Sequence, residues 1–234
     1  MSTISSAART TPAPMVPPLR NGDRLTRDEF ERRYAAEPNR KKAELIEGVV
    51  YTPSPVRFED HGKQQFNLIG WLWRYVIETP GVAGGDNSSL RLDLDNEPQP
   101  DAHLMIKPGF GGQVKIDNEG YIVGAPELVA EVAASSASYD LHSKLHVYRR
   151  NGVKEYIVWR VEDEQIDWFV LQKGNFEPLA PIKSLLKSEV FPGLWLDAKA
   201  MLADDLAGVA KAVDKGTATG EHRDFVTKLA RSGK

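Results

Sequence analysis

The sequence predicts an α/β fold in which helices cover a sheet, and three stretches carry that expectation. Over about 60–77, Phe66, Ile69, Leu72, Trp73 and Val76 recur at helical spacing, which predicts a core-packing helix ended by Pro80 and Gly81. "PELVAEVAASS" is an apolar run of strand length, as expected of a central strand covered on both sides. "VKEYIVWRV" and "EQIDWFVLQ" form a hairpin pattern around Glu162 and Asp163 that extends the sheet.

At 234 residues, 41% hydrophobic and 27% charged, the chain is long enough for one sizeable core with attached ends. It contains no cysteine, which excludes disulfides, cysteine-ligated zinc and a thiol nucleophile. Any chemistry therefore falls to carboxylates, histidines, lysines or hydroxyls. The formal charge of -3 gives no overall attraction to polyanions, so a nucleic-acid partner must meet a local basic patch. No apolar run approaches a membrane span, and the N-terminus lacks the apolar stretch of a secretory signal. The expected location is cytoplasmic, with no membrane partner.

Residues 1–20 are rich in Ser, Thr, Ala and Pro and offer little apolar surface to offset the entropy of ordering them, which predicts a disordered arm. Its arginines and lack of acids also suit an organelle-targeting peptide, although no amphipathic pattern accompanies them. The main domain is expected over 21–203. Thr26 and Glu29 have capping-box spacing and open a short helix to about Tyr34. "AELIEGVVYTPSP" reads as two strands about a glycine kink at Gly48, stopped by proline. Alternation separates Glu44 from Glu47, and Glu44 is the candidate site acid, weighed against a solvated edge acid. "SSLRLDLDNEPQPDAHLMI" gives two strands around a polar turn, with Leu90, Leu92 and Leu94 on the buried side of the first. "KPGFGGQ" lacks phosphate-loop and dinucleotide spacing and reads as a surface loop, followed by a hairpin in "VKIDNEGYIV". A helical appendage is expected over 204–234, with a flexible linker after Lys215 and then a short basic-ended helix.

Three residues stand out for chemistry. In "QPDAHLMI", Ala102, Leu104 and Ile106 share one strand face, so Asp101 and His103 point to the other. In "PELVAEVAASS", Val129, Glu131 and Ala133 share a face, and a glutamate within so apolar a strand is costly unless paired or bound to a cation. After a helix cap at Asp140, Leu141, Lys144, Leu145 and Tyr148 fall on one helical face. Lys144 therefore sits in an apolar stripe, where it needs an anionic partner or a route out to solvent. Two acids beside a lysine are what metal-assisted phosphodiester cleavage requires: the acids hold Mg2+, and the lysine positions or deprotonates an attacking water.

The histidines and aromatics are open to plainer readings. His61, at the start of the 60–77 helix, either reaches a phosphate or a metal-bound water or simply faces solvent. His103 reads as a polar strand residue. His142 and His146 have metal spacing but no third ligand nearby, and read as two exposed histidines. Trp71, Trp73 and Tyr75 could stack bases, or fill a core or a subunit interface.

In order, "ELIEG", an aspartate after proline, the strand ending "EVAASS" and the run from Asp140 through Lys144 and Tyr148 to "GVKEYIVW" resemble the Uma-two family of restriction-endonuclease-like proteins, within the PD-(D/E)XK nuclease superfamily. The resemblance spans about 26–202. It implies a restriction-endonuclease-like core, an α+β mixed sheet flanked by helices. It also implies Asp101 and Glu131 as metal ligands, the main-chain carbonyl of Val132 as a further ligand, and Glu44 as an additional acid. The superfamily's usual lysine position, two residues after the second acid, is Ala133 here, and Lys144 looks like a relocated lysine.

The resulting expectation is an endonuclease that uses Mg2+, or Mn2+ in its place, to hydrolyse nucleic-acid phosphodiesters, DNA first. A homodimer would suit exposed aromatics and a two-fold substrate. The alternative is a nuclease-like module that binds nucleic acid or a protein partner without cleaving, favoured by Ala133 and by the negative charge. No Ser/His/Asp arrangement supports an unrelated hydrolase.

Overall fold

The chain runs through α1 (Arg27–Ala35), β1 (Glu44–Ile46), β2 (Val49–Tyr51), α2 (Lys63–Ile77), β3 (Val82–Gly85), β4 (Leu90–Arg91), β5 (Ala102–Ile106), β6 (Lys115–Ile116), β7 (Ile122–Val123) and β8 (Leu128–Ala133). It continues through α3 (Leu145–Arg150), β9 (Glu155–Arg160), β10 (Gln165–Gln172), β11 (Asn175–Pro178), β12 (Leu186–Lys187), β13 (Trp195–Leu196), α4 (Ala198–Leu202), α5 (Leu206–Thr217) and α6 (Gly220–Ser232). π-Helical turns over Phe58–Gly62 and Asp140–Lys144 lead into α2 and α3. This computed structural model describes residues 16–53, 55–134 and 139–233. Most of the arm expected over 1–20 lies outside the described residues, as do Ser135 and Ser136 of the central run.

Six strands form the main sheet in the order β11-β10-β9-β8-β5-β3. β8 and β9 are parallel and the other neighbours antiparallel, so the sheet is mixed as expected. The parallel pair requires a crossover, and the π turn with α3 supplies it. Every residue of β8 is buried. Its alternation divides the core: Leu128, Ala130 and Val132 pack with Leu68, Trp71, Leu72 and Tyr75 of α2, whereas Val129 and Ala133 pack with Tyr148 and Tyr156. Glu131 shares the second face.

The buried face of α2 differs from the expected one. Leu68, Trp71, Leu72 and Tyr75 turn inward, while Phe66 and Trp73 are exposed. Both stripes are apolar, so periodicity alone does not choose between them. Polar ring atoms favour the observed one: Trp71 Nε1 donates to the Trp195 carbonyl at 3.0 Å and Tyr75 OH to that of Pro192 at 3.1 Å. These buried rings are closed to base stacking.

Three further expectations change. Thr26 precedes α1 but its hydroxyl makes no cap bond, and Glu29 pairs with Arg32 at 2.7 Å and Arg33 at 2.6 Å instead of closing a capping box. β4 stops at Arg91 and Leu94 is exposed, because Asp93 and Asn96 close a turn there through a 2.6 Å side-chain bond. After Lys215 the chain stays helical: α5 reaches Thr217, and Thr219 caps α6 by accepting from the His222 amide. Val209, Val213 and Leu229 of these helices join the main core. Among the described residues, no helix is long and apolar enough to cross a membrane.

Glu155, fully buried at the start of β9, ties the sheet to the segment after β12. Its carboxylate accepts from Ser188 Oγ at 2.7 Å and from the amides of Glu189 at 2.7 Å and Val190 at 3.2 Å. Burial pushes this carboxyl up to about 7 against those three donors. A folded-state value above the ordinary 4.5 means that the group's contribution is full below 4.5 and is lost as pH rises through about 7. In urea melts at pH 5 and pH 8, wild type should therefore lose more stability on alkalinisation than Glu155→Gln. Glu155→Ala should cost about 2–3 kcal/mol at pH 5, because the Glu189 amide and the Ser188 hydroxyl lose their partner.

Candidate active site

Asp101 immediately precedes β5, where the ladder to β8 ends with Ala102 opposite Ala130. Past that pair the aspartate side chain replaces a strand partner: its Oδ2 accepts from the Val132 amide at 2.9 Å. His61 Nε2 lies 3.0 Å from the same oxygen, and Lys42 Nζ lies 3.5 Å from Oδ1. Burial by itself would raise this carboxyl; His61, Lys42 and the Val132 amide overcome it and hold Asp101 down at about 2.

Glu131 lies across from it on β8. Its Oε1 accepts from Lys144 Nζ at 2.9 Å and from Tyr148 OH at 2.8 Å, and its Oε2 accepts from the Asp101 amide at 3.3 Å. Burial, with Asp101, Asp140 and Glu44 nearby, pushes this carboxyl up to about 8 against the pull of Lys144.

Glu44 reaches the cluster from outside the main sheet. β1 and β2 form a separate antiparallel ribbon, turned at Glu47 and Gly48, which both have positive φ. Glu44 is buried and Glu47 exposed, as alternation predicts. Glu44 Oε1 accepts from the Gln99 amide at 2.7 Å and meets Lys144 Nζ at 3.1 Å.

Lys144 ends the π turn before α3 and is buried, 4% exposed as a residue. It does not snorkel. Glu131 and Glu44 hold it, and Asp140 Oδ1 lies 3.7 Å away. Burial would lower its pKa, but Glu131 and Glu44 outweigh burial and push it well above the ordinary lysine value. A lysine held protonated can donate a hydrogen bond to water or phosphate, which is the positioning role of the two expected for it.

The four sequence-selected residues Glu44, Asp101, Glu131 and Lys144 thus meet in one buried cluster. Asp140, expected only as a helix cap, joins them, as do His61, Lys42 and Tyr148. His61 is signalled in the sequence only by its helix start, and Tyr148 only by its phase. Lys42 precedes β1 in a loop and carries no periodic signal. His103 lies outside the cluster, buried, with no partner for its Nδ1 among the described residues and its pKa lowered by burial to about 4. His142 and His146 are exposed, as expected.

Among the described residues, no three His, Asp or Glu side chains form a group that could hold a metal ion. Asp101 and Glu131 each have one oxygen held only at longer range, Oδ1 by Lys42 at 3.5 Å and Oε2 by the Asp101 amide at 3.3 Å among the described residues. Two carboxylates with a main-chain carbonyl and water suit Mg2+, which keeps much of its hydration and takes one or two protein carboxylates. They do not suit a closed zinc site.

A family model described as Uma2, "Putative restriction endonuclease", matches residues 27–199. No curated protein matches the chain. Among solved structures, the crystal structure of a putative nuclease belonging to DUF820 from Anabaena variabilis aligns with a TM-score of 0.56. It shares 14% sequence identity, and the alignment covers 81% of this chain and 99% of that one. At that identity the likeness shows a shared fold.

Proposed function

Because the chain belongs to the Uma2 family of putative restriction endonucleases, we propose that it is a Mg2+-dependent endonuclease that hydrolyses DNA phosphodiester bonds as a homodimer. The observation that supports this reading is that Glu131 bonds both the Asp101 amide and Lys144, which brings the two acids and the lysine into one buried cluster. Asp101 and Glu131, with the carbonyl of Val132, would hold Mg2+ or Mn2+, which supplies Lewis-acid stabilisation of charge developing on the phosphate. Lys144, whose ammonium is favoured by Glu131 and Glu44, donates an N–H to orient the attacking water. Glu44 and Asp140 hold that ammonium in place. Lys42, beside Asp101 and His61, is the local cation that draws the phosphate in despite the negative net charge.

The test is cleavage of single- and double-stranded DNA with Mg2+ by wild type and by Asp101→Ala, Glu131→Ala and Lys144→Ala. Loss in all three variants supports the reading, and equal activity in all four proteins ends it. A second reading, a module that binds nucleic acid or protein without cleaving, is favoured by the saturation of Lys144 with carboxylates and by Ala133 at the usual lysine position. Calorimetric titration with Mg2+ separates the two, since no heat at millimolar metal favours the second.

A further inference from the structure

Among the described residues, the outward face of α2 has no partner. Phe66 is 74% exposed, Trp73 62% and Ile77 48%, and Gly70, also exposed, lies between them. These four positions follow i, i+4, i+7, i+11 spacing, so they form one stripe along the helix. A Cβ built on Gly70 would meet nothing within 4 Å. The stripe is therefore a row of large apolar knobs with one open hole.

From this pattern we infer that α2 is the homodimer interface, packed antiparallel against α2 of a second copy about a two-fold axis. In such an isologous pair, opposed residues have a constant sum of numbers. An axis midway between Trp71 and Leu72 sets Gly70 opposite Trp73 and Phe66 opposite Ile77 of the other copy. Each indole then covers the bare backbone at the other chain's glycine, and each phenyl ring meets an isoleucine, so the stripe is complementary to itself. Beside it, a groove of about 220 Å3 between α2 and the β3 edge is lined by Ile69, Leu72, Val76 and Gly84, and continues the apolar surface. Arg74, paired with Glu78 at 2.8 Å and Asp214 at 2.7 Å, gives the polar rim of such an interface. Aromatic side chains bury roughly 150–250 Å2 each, so the stripe supplies about half of the roughly 800 Å2 per partner of a standard interface.

The arrangement fixes how the two clusters face. Gln65, whose Nε2 donates to the Asp101 carbonyl at 3.2 Å, lies about 100° around α2 from Phe66. That flank faces along the two-fold axis, a direction that the rotation leaves unchanged. Both clusters therefore lie on the same side of the dimer, with the two Gln65 residues about 20 Å apart along the helices at 1.5 Å per residue. The dimer stands independently of the nuclease reading; only the consequence that one duplex meets both sites rests on it.

Sedimentation equilibrium of the full chain tests this. Wild type is expected at twice the chain mass of 26.0 kDa. Trp73→Glu and Gly70→Leu are each expected to weaken dimerisation at least about 100-fold, the first by placing charge in the interface and the second by filling the hole. Gly70→Leu should raise the melting temperature of the monomer, since leucine is the better helix former and has room there, so a lost dimer cannot be blamed on misfolding. A monomeric wild type, a dimer that survives both substitutions, or Trp73 fluorescence quenched by oligonucleotide on a monomer would each overturn the proposal. A dimer without nuclease activity leaves the interface standing and removes the nuclease; a cleaving monomer does the reverse.

Discussion

Asp101→Asn is expected to lower Mg2+-dependent cleavage by about 10^3-fold while leaving the fold intact. The two halves of this expectation come from the two oxygens of Asp101. Oδ2 is structural, since it accepts the Val132 amide at the point where the β5–β8 ladder ends. Asparagine can offer its carbonyl oxygen there, so the amide keeps its partner. Among the described residues Oδ1 contacts Lys42, at 3.5 Å, and it is the oxygen that the proposed cation would meet. Asparagine would put an uncharged NH2 at that position, which removes the negative charge from the metal side and repels the ion. Alanine would lose both roles together and confuse the result. Single-turnover cleavage and thermal melting on the same preparation separate them: lost cleavage in a variant that still melts cooperatively supports the assignment, whereas full activity in a folded Asn variant refutes it.

How much of this was legible in the sequence depended on whether a residue's position had a single consistent periodic reading. β8 had one. Its alternation could place Glu131 on only one face, and the apolar neighbours meant that face was buried. Lys144 was legible for the same reason, because its helical phase set it among Leu141, Leu145 and Tyr148, and the local π turn did not carry it out to solvent. The α2 helix was not, since two apolar stripes overlap on it. Choosing between them depended on acceptors offered by Pro192 and Trp195, more than 100 residues away. Glu44 was placed on the correct side of its strand, but nothing local shows that the β1–β2 ribbon folds over the main sheet. Asp140 reads as a cap and Lys42 as a loop lysine until three-dimensional packing brings both to the acids. The helices after Lys215 were obscured by glycine and threonine, which read as a linker when the Thr219 cap is overlooked.

Lys144→Met should destabilise the chain by about 3–5 kcal/mol, the largest stability effect expected of any single substitution in the cluster. Methionine fills much of the lysine stem's volume, so little of the loss is a cavity. The loss arises because Glu131, Glu44 and Asp140 remain buried with the shared cation gone. Carboxyls crowded in this way ionise less readily in the folded than in the unfolded chain. Their contribution is then greatest at pH below the ordinary carboxyl value and declines as pH rises, so the deficit should widen from pH 5 to pH 8. Adding Glu131→Gln to Lys144→Met removes one of the stranded charges, and the double variant should be more stable than Lys144→Met alone. Urea melts of the four members of this cycle measure the coupling directly. A coupling near zero would mean that Lys144 does not hold the acids together, and the account of the cluster as one electrostatic unit would fail with it.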